Sequence, residues 1–183
     1  MIFVYAVCVG IIVGYLRGGR ISRLPSLEFR AGWLVLAALI IQLLIFPLFS
    51  KKPILPYATT ALHIISYVLL FGWLLLNVRI IPLLVIAIGA IANFLAISLN
   101  GGYMPSSMTA LRMAGSQAMV ENLSRADTYG NVIRMGADTR LDVLGDWLYL
   151  PSWIPFATAF SIGDLLIMAG IVWLVAKGMR GHD

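Results

Sequence analysis

The sequence predicts an all-α integral membrane protein, a bundle of five transmembrane helices, and three observations carry that prediction. The 183 residues are 61% hydrophobic and only 11% charged, with a mean hydropathy of +0.94, whereas soluble domains are roughly half apolar and a quarter charged. Five apolar stretches follow one another, at about 1–16, 32–49, 57–76, 80–99 and 158–177, and a helix crosses a ~30 Å hydrocarbon core with about 20 residues. The basic residues flank these stretches instead of clustering on a polar face, so the net charge of +5 speaks for topology and against a nucleic-acid partner. The bilayer is the expected environment. Residues 1–183 read as a single transmembrane domain, since no polar stretch is large enough for a second folded unit.

The first span, 1–16, is short, and no charge precedes it. That is the reverse of a signal peptide's basic start, so the segment is expected to be retained with its N-terminus outside. Gly10 and Gly14 form a small-xxx-small pair that lets a neighbouring backbone approach. Cys8, the single cysteine, leaves no intrachain disulfide, CxxC pair or thiolate metal cluster and reads as a packing residue.

Connector 17–31 holds Arg17, Arg20, Arg23 and Arg30, connector 50–56 holds Lys51 and Lys52, connector 77–79 holds Arg79, and the tail holds Lys177 and Arg180. Placing the first, the third and the tail in the cytoplasm puts seven basic residues inside against two outside, an N-out, C-in topology. Segment 100–157 then faces outward, its arginines notwithstanding, because long loops translocate largely regardless of charge. Within it, Pro105, Ser106 and Ser107 read as a helix start, and Met108, Leu111, Gly115 and Met119 recur at helical spacing, which predicts a short interfacial helix. Ser124 to Asp138 is polar and contains glycine, hence loop. The stretch "GDWLYLPSWIPF" brings Trp147, Tyr149 and Trp153 together before the last span, as an aromatic belt does.

Polar residues inside the spans need a reason. A last helix starting near Thr158 places Asp164 roughly 9 Å below the outer boundary at 1.5 Å per residue. An acid there faces the bundle interior or a wet cavity, since a central Asp costs about 2.5 to 3.5 kcal/mol in lipid. Ser161 lies at i−3 on the same face, within hydrogen-bond reach. Asn93 and Asn100 lie two turns apart on one face of the fourth helix, followed by Gly101, Gly102 and Tyr103 in "NGGYMP". Gln42, His63, Ser66 and Tyr67 come from the second and third. Together these line one outward-opening polar pocket around Asp164. The plainer reading of Asn93, Gln42 and Ser66 is interhelical hydrogen bonding, of His63 a satisfied buried histidine, and of Asp146 a turn aspartate. HExxH, GxSxG, GxxxxGK[ST] and GxGxxG do not occur in the sequence, so protease, hydrolase, NTPase and dinucleotide motifs lend no support, and neither a metal nor a cofactor is expected.

The arginine-rich first connector together with "LNGGYMP", "LGDWLYLP" and "FSIGDLLI" resembles an uncharacterised bacterial family of small integral membrane proteins, over essentially the whole chain. That resemblance implies a bacterial cytoplasmic membrane and no activity. The C-terminal part is also similar to signal peptidase II, the lipoprotein signal peptidase. "GAIAN" (89–93), "GDW" around Asp146 and "FSIGD" (160–164) stand where that family has a "GALGN"-like element, a "VDF"-like aspartate and "FNxAD". Here the two aspartates are 18 residues apart. The chain differs in having five predicted spans instead of four, about fifty residues between Asn93 and Asp146, serine at 161, and no counterpart of the "DQ" or "NxGAAF" elements. The likeness implies an aspartyl dyad of Asp146 and Asp164, with Asn93 or Asn100 orienting substrate.

Three readings stand side by side. One is a membrane-embedded binding or assembly protein, docking a membrane-protein partner or a second copy through segment 100–157. The second is an intramembrane aspartyl-type hydrolase. The third is a small transporter or channel subunit in which Asp164 takes up a proton or cation, although no inverted repeat is apparent.

Overall fold

The structure, a computed structural model, describes residues 2–45 and 59–181. Residues 46–49 of the predicted second span, Lys51 and Lys52, and residues 57–58 of the third lie outside the described residues. Seven α-helices are present among the described residues: α1 (Phe3–Leu16), α2 (Gly32–Ile45), α3 (Thr59–Leu76), α4 (Ile81–Leu99), α5 (Met108–Met113), α6 (Gln117–Arg125) and α7 (Ile162–Arg180). Three of them, α3, α4 and α7, are long and apolar enough to cross a membrane, while α1 and α2 are shorter apolar helices.

α7 packs against α4 on one side and α1 on the other, and α2 pairs with α3. Small residues set both α7 interfaces. A Cβ on Gly10 would sit 2.8 Å from Val175 Cβ, and one on Gly14 would strike Met179, so the small pair in α1 does admit the neighbouring helix. On the α4 side, a Cβ on Gly89 would strike the Gly163 carbonyl oxygen, and one on Gly163 the Asn93 side chain. The backbones cross there almost in contact. Trp73, Leu74 and Leu83 form the buried core between helices, with Leu34, Val35, Ile86 and Leu174 packed around it. The faces turned away from neighbours stay apolar, with Ile12, Leu36, Val68, Leu75 and Ile88 all more than half exposed, as lipid-facing surface requires and a water-facing one rarely shows.

Two asparagines fasten the helix ends. Asn77, after α3, donates from Nδ2 to the Arg30 carbonyl (2.9 Å) and accepts from the Arg30 N–H (2.8 Å). Asn100, the C-cap of α4, does the same to Arg140 at the opposite end (2.8 Å each way). Each amide mimics a peptide group and ties a distant connector to a helix terminus.

Segment 100–161 departs from the all-α expectation. It folds into a small cap over the ends of α3, α4 and α7, built on five short strands: β1 (Met104–Ser106), β2 (Thr128–Tyr129), β3 (Val132–Arg134), β4 (Leu148–Tyr149) and β5 (Ala159–Phe160). The first sheet has the order β1-β3-β2, with β1 parallel and β2 antiparallel to β3, and β4 pairs antiparallel with β5. The cap has its own core of Leu111, Val120, Leu123 and Val132. A second cluster, Tyr67, Ala96, Ile97 and Met104, joins it to the bundle.

Three local expectations are corrected here. Pro105 and Ser106 belong to β1, and the N-cap of α5 is Ser107, whose hydroxyl accepts from Ala110 N–H. The predicted interfacial helix is two helices, because Gly115 adopts φ +73°, a left-handed conformation that ends α5. The predicted loop 124–138 contains β2 and β3, whose pairing with the distant β1 no local pattern announces.

Candidate functional site

The last helix begins four residues later than its apolar run suggests. Residues 159–160 are held in β5, so Ser161 becomes the N-cap of α7 and Asp164 its third residue. The two form a capping box: Asp164 N–H donates to Ser161 Oγ (2.9 Å), and Ser161 N–H donates to Asp164 Oδ2 (3.2 Å). Asp164 is therefore a first-turn acid at the positive end of the helix dipole, not a residue two turns down.

The close crossing at Gly89 and Gly163 then seats Asn93 of α4 on this cap. Asn93 Nδ2 donates to Asp164 Oδ1 (2.8 Å), and its Oδ1 accepts from Ser161 Oγ (2.7 Å). Ser161, Asn93 and Asp164 close a ring in which both carboxylate oxygens have a donor, with Ser161 wholly buried and Asn93 nearly so. This is why an acid is tolerated at the mouth of an apolar bundle.

Asp146 arrives from the cap. A 3-10 turn, Asp142–Leu144, packs on α4 and α7 and delivers the chain beside β1. There Asp146 N–H donates to the Pro105 carbonyl (2.8 Å) and its own carbonyl accepts from Ser107 N–H (2.9 Å). Ser106 Oγ, fully buried, donates to Asp146 Oδ2 (3.0 Å). Burial pushes the Asp146 carboxyl up to about 7; the nearby Asp164 carboxylate adds to the rise and the Ser106 hydrogen bond opposes it. Both aspartates are mostly buried, each keeping a minor part of its surface exposed. Tyr67 of α3 lies within the electrostatic reach of both and is stacked among His63, Phe71 and Phe94.

The remaining predicted residues are distributed around this centre. His63 is buried, hydrogen-bonds to the Gly102 backbone and touches Tyr67 at 5.3 Å between ring centroids. Gly101 and Gly102 (φ +67° and +95°) make the turn after α4, where Gly102 lies against Thr60. Tyr103 is half-buried and donates its N–H to the Asn100 carbonyl. Asn100 commits its amide to Ala96 and Arg140, a fastening that takes it out of the carboxylate cluster. Gln42 donates to Ser66 Oγ (3.2 Å), which donates to the His63 carbonyl (2.7 Å), the interhelical bonding that joins α2 to α3. Ser106 was missed as a site residue because it was assigned to a helix start. The α7 boundary was legible, since Ser161-x-x-Asp164 before an apolar run is a capping-box pattern. Among the described residues no three His, Cys, Asp or Glu side chains come together as a metal site.

Three membrane-length apolar helices with apolar outer faces, and two carboxylates gathered beneath a cap at one end, define a membrane protein of unknown activity. Over residues 26–176 the chain matches a family of unknown function (DUF5317), and it belongs to that family. No curated protein and no solved structure matches it.

Proposed function

We propose that the chain is a multi-pass protein of the bacterial cytoplasmic membrane, five helices with N-out, C-in topology, whose Asp146–Asp164 pair is an outward-facing acid–base centre of an aspartyl-type hydrolase. The observation that carries this reading is that the cap holds Asp146, bonded to the buried Ser106 Oγ, within the field of Asp164 at the start of α7, each keeping part of its surface exposed. Near neutral pH such a pair holds one proton. Asp164, with both oxygens already accepting hydrogen bonds, is the acceptor that takes a proton from water. Asp146, protonated, donates to the carbonyl oxygen of the bond under attack as water adds to its carbon. The substrate would be an acyl or peptide bond presented at the outer leaflet, as the likeness to lipoprotein signal peptidase implies. The test is turnover of a lipidated peptide in micelles by the full chain. We expect Asp146→Asn and Asp164→Asn each to lose about 100-fold or more while melting as folded proteins. Undiminished turnover by either folded variant would sink the dyad.

A second reading is favoured by the ring itself, because both Asp164 oxygens are already engaged, Oδ1 by Asn93 of α4 and Oδ2 by the Ser161 N–H of its own helix cap. On that reading the chain is a binding or assembly protein, with a membrane-protein partner or second copy docked on the cap. Asp164→Asn then lowers folded yield, and no turnover exists to lose.

A further inference from the structure

At the other end of α7, about 20 Å from Asp164 along the helix, two clefts open on either side of Lys177. The larger, about 660 Å³, is lined by Glu28, Arg79 and Lys177. The smaller, about 320 Å³, lies between the ends of α1 and α7 and is lined by Arg17, Trp173, Lys177 and Arg180, with no acid lining it among the described residues. Its volume falls within the range of small-molecule sites, ~300–1,000 Å³.

Arg17 and Lys177 are not occupied in capping the helix. The final carbonyls of α7 are taken by the connector from α1: Arg20 N–H donates to Met179 O (2.7 Å) and Arg23 Nη1 to Arg180 O (2.6 Å). Among the described residues neither Arg17 nor Lys177 has an ion-pair partner, the one salt bridge being Arg134–Asp127 in the cap. Lys177 and Arg17 are exposed, and Trp173, one turn deeper on α7, is 43% exposed in the same cleft. An indole beside converging cations at the end of a membrane-length helix is the arrangement that sits at headgroup level.

We propose that the cleft between α1 and α7 binds the phosphate of an anionic phospholipid, with Arg17 and Lys177 on the phosphate and Trp173 against the glycerol and upper acyl region. The site stands apart from the carboxylate centre and does not depend on the activity assigned to it. The cleft is lined from the end of α1 and from α7, so a bound lipid would also brace the α1–α7 pair.

The test uses the full chain in detergent, with phosphatidylglycerol and phosphatidylcholine in mixed micelles, and native mass spectrometry to count lipid retained. Wild type should retain phosphatidylglycerol over phosphatidylcholine. Lys177→Gln and Arg17→Gln should each weaken that retention about fivefold, Lys177→Arg should keep it, and Arg112→Gln in the cap should leave it unchanged. Melting temperatures without added lipid show that the variants are folded. Equal retention of the two lipids, or undiminished retention by the folded Lys177→Gln/Arg17→Gln double variant, overturns the proposal. Displacement of phosphatidylglycerol by inorganic phosphate would assign the cleft to a soluble phosphate and overturn the lipid assignment, whereas resistance to it supports the lipid.

Discussion

The two ends of α7 carry opposite charge and treat it in opposite ways. At its start, Asp164 is bonded to Ser161 and Asn93, with Asp146 of the cap within its field. At its end, Lys177 and Arg180 line clefts, while backbone carbonyls are satisfied by Arg20 and Arg23 of the neighbouring connector. Both placements suit the helix dipole, negative groups at the N-terminus and positive ones at the C-terminus. The difference lies in solvation. A long cation such as Lys177 can snorkel to the headgroups, whereas a short aspartate near an apolar boundary must be supplied with donors by the protein. The acid end is therefore built and brittle, and the basic end open and tolerant.

That contrast can be broken most severely at the helix crossing. Gly163→Ala would drive a methyl into the Asn93 amide and part α4 from α7; a loss of about 3 kcal/mol or more is expected, read as loss of folded yield after detergent extraction. Asn93→Ala keeps the crossing and empties the ring, leaving Asp164 and Ser161 without that partner. The expected cost is about 2 to 3 kcal/mol, measured as a fall in melting temperature.

Asp146 sharpens the comparison through pH. Its folded value of about 7 lies above the ordinary 3.8, so the folded state holds the proton more tightly than the unfolded one. Stability should be full below about pH 4, decline as pH rises to about 7 and level off above. The decline should be on the order of 4 kcal/mol, and Asp146→Asn should flatten that slope in a series of melts. At the basic end, Lys177→Gln should shift stability by less than about 0.5 kcal/mol. A larger loss in melts without lipid would show that Lys177 has a structural partner and that the two ends are not so different.

Much of the centre could be read from residues alone. Asp164 stood out as an acid in an apolar run, Asn93 as an amide on a neighbouring helix, and Ser161 by its i−3 spacing. Asn100 looked equivalent to Asn93, yet it spends its amide on Arg140. A helix face shows which side chains align, and the residue that meets them is set by another segment. The depth of Asp164 was misjudged because hydropathy marks where a chain is apolar, while the helix begins where a cap and a competing strand, β5, decide. The cap strands are two or three residues long, too short for an alternating pattern to register.

What the sequence determined by itself is what local terms control: membrane class from apolar content, the approximate location of the apolar helices from the apolar runs, and close packing of α1 from its paired glycines. Each depends on residues near one another in the chain and accumulates over a window. The tertiary structure alone decided that the residues following α4 fold into a sheet-containing cap, that Ser106 holds Asp146, and that Asp146 comes to lie within the field of Asp164. Those depend on contacts between segments tens of residues apart, where pairing and burial outweigh local propensity, and where an aspartate's ordinary acidity is reset by the groups it is folded against.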